Sequence, residues 1–335
     1  PIDYIEEIAR LYGYDKIPEK DLPEIEVSQE DLVAEFGDSQ FETQIRDICQ
    51  RQGLSEVISY ALLSQQEVEE FQFEHVLPLN NYLSKSFAVL RPSLIPCLVK
   101  VANYNFNHFV NDVAIFELGK VYGLNKKPWE RKAVGILLSG VKYRDYFGKE
   151  VEYNFYHIKG MIEEFLNYFG IEDYSLEEKQ FPLFSSAASI AIKIKTELVG
   201  IMGIISDMGT EYYDLKKQVL VAEVYLDVIK KYYNRRLRFK GVAQFPAILR
   251  DISILLPKDF AVGKLIEKIK PTDKLIQEIT VIDFYTGPQI PPDKKSVTLR
   301  LKFQAKDRTL KDEEVDPIIK RIKENVSQTL PVEFR

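Results

Sequence analysis

Apolar residues recur at helical spacing from the first turn of the chain. Ile2, Ile5, Ile8 and Ala9 form one stripe and Gly13 follows as a stop, so PIDYIEEIARLYGYDKIPEK predicts a short helix. Beyond Pro18, the stretch LPEIEVSQEDLVAEFG is polar and acidic, with two prolines in the region, and has the composition of a linker. A second helix is predicted from Ser39. There Ser39 and Glu42 stand three apart as a capping box, Phe41, Ile45, Ile48 and Cys49 supply the stripe to be buried, and Gly53 ends it.

The pattern then changes. LSEVISYALL, DVAIFELGKVYGL, KAVGILLSGV, AASIAIKIK, ELVGIMGIIS and VLVAEVYLDV are β-branched runs of strand length, and two helical patterns, SLIPCLVKVANYNF and HIKGMIEEFLNYFGI, lie among them. Links as short as Thr196-Glu197 favour antiparallel neighbours, so this part predicts an α+β domain, a mostly antiparallel sheet with flanking helices. A basic connector, KKYYNRRLRFKG, leads into the tail. Its order is strand AILRDISILLP, helix VGKLIEKIK, strands LIQEITVIDFYTG and KSVTLRLKFQA, helix LKDEEVDPIIKRIKENVSQ and strand PVEFR. That is βαββαβ, the ferredoxin-like arrangement of two helices on one face of a four-stranded antiparallel sheet. Thr309 and Asp312 read as the start of its second helix.

Composition changes this picture in few places. A length of 335 residues suggests two or three domains, at roughly 100 to 200 residues each. No apolar run approaches the roughly 20 residues that cross a bilayer, so no membrane association is expected. Two cysteines, Cys49 and Cys97, are too few for a multi-bridge framework or a four-cysteine zinc site and suit a reducing, cytoplasmic setting. The sequence opens on Pro1 with neither an initiator Met nor a signal peptide, and the expectation is a piece of a longer protein.

Charge is more informative than composition. Residues 230–335 hold 23 Lys and Arg against 14 Asp and Glu, leaving 22 against 37 for residues 1–229. A basic tail suits a polyanion and an acidic body suits a protein partner; a solvated basic helix face is the plainer reading. The connector offers tyrosines and arginines to RNA, although linkers are often charged.

Two sets of residues carry candidate chemistry. Asp3, Glu6 and Glu7, at i, i+3 and i+4, share one face of the first helical turn, where oxygen-only ligands suit Mg²⁺ and acidic residues also simply favour a helix N-terminus. Asp283 and Tyr285 alternate along a tail strand and so share a sheet face, with Ser296 opening the next strand. An aromatic platform with polar neighbours can stack and read an unpaired base, while a strand Tyr is also an ordinary packing residue. His75, His108 and His157 have no zinc spacing. GIMGIIS is no phosphate-binding loop, and no glycine-rich strand ending in Arg occurs, so the central domain is expected to be non-catalytic.

Three blocks resemble one family. FPAILRDISILLP, DFYTG and KKSVTLRLKFQAKDRTLKDEEV resemble the ferredoxin-fold anticodon-binding domain that ends bacterial phenylalanyl-tRNA synthetase β subunits. DYIEEIARLYGYDKIP is similar to the end of their B5 domain, and LSKSFAVLRPSLIPCLVKVANYNFN with VAIFELGKVY resembles their catalytic-like module, a class II synthetase fold without an active site. The resemblance divides the chain into residues 1–20 (end of B5), 21–38 (linker), 39–232 (catalytic-like domain), 233–244 (connector) and 245–335 (anticodon-binding domain).

The resemblance also implies a function. It is part of a ligase that joins L-phenylalanine to tRNA(Phe) using ATP and Mg²⁺, with catalysis on a separate α subunit in a two-α, two-β assembly. Amino-acid editing would belong to an upstream β domain. Asp283, Tyr285 and Ser296 match the residues that meet the first anticodon base. Asp3, Glu6 and Glu7 match the family's magnesium-binding DxxEE motif, but a further upstream Asp would lie before Pro1, so the site is incomplete and should bind Mg²⁺ weakly. Two alternatives share the tail topology. A stand-alone RNA-binding module of RRM type would need a third strand richer in aromatics than SVTLRLKF, and an amino-acid-sensing regulatory domain would bind phenylalanine instead of tRNA.

Overall fold

The computed structural model describes residues 2–18, 29–234 and 244–334, and the side chains of residues 29–37 lie outside the description. The chain divides into two compact units, Pro1–Arg236 and Leu237–Arg335. Most of the basic connector, residues 235–243, falls outside the described residues, and its expected RNA contact with it.

In the first unit, helix α1 spans Ile2–Tyr12 and stops at Gly13, whose φ of 96° is a conformation that glycine adopts without strain. None of its residues is buried. Helix α2 runs unbroken from Gln29 to Arg51, so Ser39 is an interior residue instead of an N-cap, and its carbonyl accepts a hydrogen bond from Thr43 Oγ1. The first turns of α2 carry four acidic residues and Gly37 from Gln29 to Asp38, which gives them the composition of a linker. The glycine stop at Gly53 is present, with φ 83°.

A seven-stranded sheet forms the centre of this unit. Its strands are β1 (Ser55–Glu56), β2 (Val113–Leu124), β3 (Pro128–Ser139), β4 (Ser175–Glu178), β5 (Phe184–Ile194), β6 (Glu197–Ile205) and β7 (Val219–Tyr225), in the order β1-β2-β3-β7-β6-β5-β4. Every pair is antiparallel except β1 with β2, which is parallel. The run LSEVISYALL breaks into β1 and a separate short strand, Leu62–Leu63. VLVAEVYLDV leaves the sheet at Tyr225 and continues as a short helix, Leu226–Tyr232.

Helices cover both faces of this sheet. On one face α2 and helix α3 (Phe155–Tyr168) bury Ile45, Ile48, Ile162 and Phe165 against Phe116, Ile136 and Ala222. On the other, the helix Ile95–Asn107 lays Ile95, Leu98, Val99 and Ala102 on Leu137, Val219 and Val221. Burial from both sides explains why the middle strands read as continuous apolar runs instead of alternating ones.

The second unit is the predicted βαββαβ chain. Its elements are β8 (Ile248–Pro257), helix α4 (Val262–Ile269), β9 (Ile276–Tyr285), β10 (Lys294–Phe303), helix α5 (Asp312–Thr329) and β11 (Glu333–Phe334). The sheet order is β9-β10-β8-β11, antiparallel throughout. Both helices lie on one face, where Leu265, Ile269, Val315, Ile318 and Ile322 bury Ile254, Val297, Leu299 and Leu301. Helix α5 begins at Asp312, beyond the predicted Thr309, and the Glu314 carboxylate accepts the backbone N–H of Lys311 at 3.0 Å, since Glu reaches back over a turn where Asp312 is too short. Among the described residues no helix is long and apolar enough to cross a membrane.

Candidate nucleic-acid interface

The helix-free face of the tail sheet follows from strand alternation. Pairing aligns Leu255, Ser296 and Tyr285 in one row across β8, β10 and β9, and Ser253, Thr298 and Asp283 in the next. A register shift between Val281 and Asp283 inserts one extra residue in β9, and beyond it Asp283 and Tyr285 stay in phase with Thr298 and Ser296. The three residues expected from the sequence therefore meet on one face.

They line a depression of about 400 Å³ together with Ser253, Gln289 and Thr298. Asp283 is exposed, Tyr285 half-buried and Ser296 buried. Ser253 Oγ and Thr298 Oγ1 share a hydrogen bond of 2.9 Å and form a small polar floor. Sequence reading missed these two and Gln289. Ser253 and Thr298 are the polar positions within SIL and VTL alternation, but only the pairing register places them beside Asp283.

Electrostatics on this face favour bases over phosphates. Arg300 pairs with Asp251 through Nε and Nη2, at 2.8 and 2.7 Å, Lys302 lies 3.6 Å from Glu278, and Lys294 lies 2.6 Å from Glu333. The hydrogen bonds from Arg300 hold the Asp251 carboxyl below its ordinary value. No ion pair among the described residues includes Asp283. The depression thus presents an uncompensated carboxylate, which accepts hydrogen bonds from base N–H groups and repels phosphate.

The first unit has a second polar cluster, which is closed. Arg91 donates to Glu117 Oε1 at 2.7 Å and to Ser59 Oγ at 2.9 Å, and its Nε donates to the Lys120 carbonyl. Both charged side chains are buried. Arg91 therefore ties the edge of β2 in place, a role its sequence context did not reveal. Glu223, on β7, is fully buried and accepts hydrogen bonds from Leu94 N and Ser93 Oγ, while its Oε1 meets no donor. Burial pushes its pKa up to about 7. A β-carbon on Gly135 would come within 2.7 Å of Leu98, so the helix Ile95–Asn107 sits directly on the sheet and fills this face.

Asp3, Glu6 and Glu7 are exposed on α1, and Glu7 accepts from Arg10 Nη2 at 2.6 Å. Among the described residues no group of three or more His, Cys, Asp or Glu side chains is arranged to hold a metal ion. As they stand, these carboxylates do not fit Mg²⁺, which takes near-ideal octahedral oxygen geometry.

Comparison with known proteins gives consistent matches. Residues 19–226 match the family described as phenylalanyl tRNA synthetase beta chain CLM domain, and residues 243–335 match the ferredoxin-fold anticodon binding domain. The phenylalanine–tRNA ligase beta subunit of Fusobacterium nucleatum is 32% identical over 100% of this chain and 42% of its own length. That of Thermotoga maritima is 28% identical, with the same coverage of each. The chain spans about two fifths of the length of these relatives. A solved pyrrolysyl-tRNA synthetase from Desulfitobacterium hafniense aligns with a TM-score of 0.46 at 13% identity, over 58% of this chain and 68% of that one.

Proposed function

The chain belongs to the phenylalanyl-tRNA synthetase β-chain family, and from that premise we propose that it supplies the scaffold and the anticodon contact of a phenylalanine–tRNA ligase. In this reading the parent enzyme joins L-phenylalanine to tRNA(Phe) at the expense of ATP, on an α subunit that docks against the acidic first unit. Two of each chain would form the assembly.

The observation that carries the reading is the convergence of Asp283, Tyr285 and Ser296 in one open depression. Tyr285 would stack on the first anticodon base, and Asp283 with Ser296 would read its edge. The filled face of the first unit supports a non-catalytic role: Leu94 and Leu98 occupy the space over Gly135, and β7 carries a buried Glu223 where a nucleotide site would need open, donor-rich backbone. Asp3, Glu6 and Glu7 would hold Mg²⁺ only weakly, because an ion that keeps several waters depends on each of its few protein anchors.

Titration of the chain with tRNA(Phe) tests the tail. Tyr285→Ala is expected to cost about 1 to 3 kcal/mol of binding, the usual worth of a stacked base. Unchanged affinity would remove the reading. Titration with free phenylalanine separates it from an amino-acid sensor, which would bind the amino acid and show no steep salt dependence toward tRNA. Co-purification with an α subunit, and restored aminoacylation once the remaining β domains are supplied, tests the scaffold role.

A further inference from the structure

We propose that the tip of the β2–β3 hairpin in the first unit is a second RNA-binding site, where Lys126 and Lys127 meet the backbone and Trp129 stacks on an unpaired nucleotide outside the anticodon loop. The inference rests on the tRNA reading above and concerns a different surface from the tail sheet.

Strands β2 and β3 pair as far as Leu124 with Pro128, so only Asn125, Lys126 and Lys127 form the turn. The turn is held in place. Asn125 N–H donates to the Lys127 carbonyl at 3.3 Å, and Leu124 N–H donates to the His75 carbonyl at 2.6 Å. Gly123 stands opposite Trp129, and a β-carbon there would come within 2.1 Å of Trp129 Cζ2 and 2.3 Å of Cε2. The indole therefore lies on bare backbone, in space that any other residue at 123 would fill. Its inner face is fixed, while the residue stays 37% exposed.

The first unit is acidic, but this tip is not. The acids of the two strands are engaged, Glu117 with Arg91 at 2.7 Å and Glu130 with Lys120 at 2.7 Å. Lys126 and Lys127 are exposed and enter no ion pair among the described residues. Two free cations beside an anchored aromatic face suit single-stranded RNA, whose phosphates take the cations and whose base takes the ring. A duplex would satisfy the lysines and leave the indole unused. The plainer reading, a tryptophan that covers a glycine beside two solvated lysines, accounts for the inner face of the ring and leaves its outer face unexplained.

The test measures binding of the whole 335-residue chain to tRNA(Phe), to the same RNA without its anticodon arm, and to a blunt RNA duplex. Trp129 is the single tryptophan, so its emission reports contact at the tip directly. Intact tRNA and the armless RNA should both quench it to saturation, and the blunt duplex should not. Lys126→Ala combined with Lys127→Ala changes two exposed turn residues and should leave the fold intact. For the armless RNA it should make the slope of log K against log salt shallower by roughly 1.4 to 1.8, two phosphates at about 0.7 to 0.9 each. Trp129→Ala should bind that RNA roughly five- to a hundredfold more weakly, the range of one stacked base. Unquenched Trp129, a wild-type salt slope in the double-lysine variant, or equal quenching by the blunt duplex overturns the inference. Tyr285→Ala separates the two levels, since it should weaken intact tRNA and leave the armless RNA unaffected. If it loses affinity for intact tRNA while the double-lysine variant behaves as wild type, only the hairpin site is wrong. If it binds intact tRNA as wild type while the double-lysine variant loses its slope, the anticodon reading falls and the hairpin site stands.

Discussion

The ring of Tyr285 lies against the α-carbon of Gly287: a β-carbon on Gly287 would come within 2.6 Å of Tyr285 Cζ and 3.2 Å of Cε1. The turn after β9 thus backs the ring from one side and fixes where its stacking surface lies. Gly287→Ala should push the ring aside without disturbing the core, since both residues sit at the open end of the sheet. The expected result is a loss of tRNA(Phe) affinity comparable with Tyr285→Ala, about 1 to 3 kcal/mol, at nearly unchanged thermal stability. Wild-type affinity in Gly287→Ala would show that the contact does not position the ring.

Asp283 separates base reading from general attraction. Asp283→Asn removes a negative charge from a face that would meet a polyanion, so simple electrostatics predicts tighter RNA binding. If the carboxylate accepts base N–H groups, the same change weakens binding, because one acceptor oxygen becomes a donor. Weaker binding with an unchanged salt slope is expected. Tighter binding would mean that the depression does not read a base.

Local signals and non-local ones were unequally legible. The order βαββαβ could be read from the tail because each element carries its own period, and Asp283 and Tyr285 could be paired because alternation is local. Ser253 and Thr298 could not, since their place beside Asp283 depends on the β8–β10–β9 register and on the extra residue after Val281. The early start of α2 at Gln29 was hidden for a different reason: a polar helix and a polar linker have the same composition. Glu223 left a faint trace as the lone acid in VLVAEVYLDV, but only the packing of Leu94 and Ser93 over it reveals that it is buried.

Glu223 should make the first unit pH-sensitive. Its pKa rises from 4.5 to about 7 on folding because burial disfavours the charged form. The folded state therefore holds a proton that the unfolded chain has released, so the stabilising contribution is complete below about pH 4.5 and is lost as pH rises through about 7. The shift corresponds to a change on the order of 3 kcal/mol. Glu223→Gln has no such proton to lose. Its stability relative to wild type should improve by that order between pH 5 and pH 8, measured by urea unfolding with the single tryptophan, Trp129 of β3, as the probe. Parallel profiles for the two proteins would rule the buried acid out as the cause.

The Arg91–Glu117 pair makes a prediction of the opposite kind, because both partners are buried and each satisfies the other. Glu117→Ala leaves the guanidinium in a dry site with Ser59 and the Lys120 carbonyl as its remaining partners. Neither of these carries a compensating charge. The expected cost is about 3 to 5 kcal/mol, again read from Trp129 in urea. Replacing both residues, as Arg91→Met with Glu117→Leu, removes the uncompensated charge along with the pair and should recover much of that loss. Such recovery would mean that the single variant suffers from a stranded charge. If the double variant is as unstable as Glu117→Ala, the destabilisation arises instead from the lost tie between Arg91 and the edge of β2.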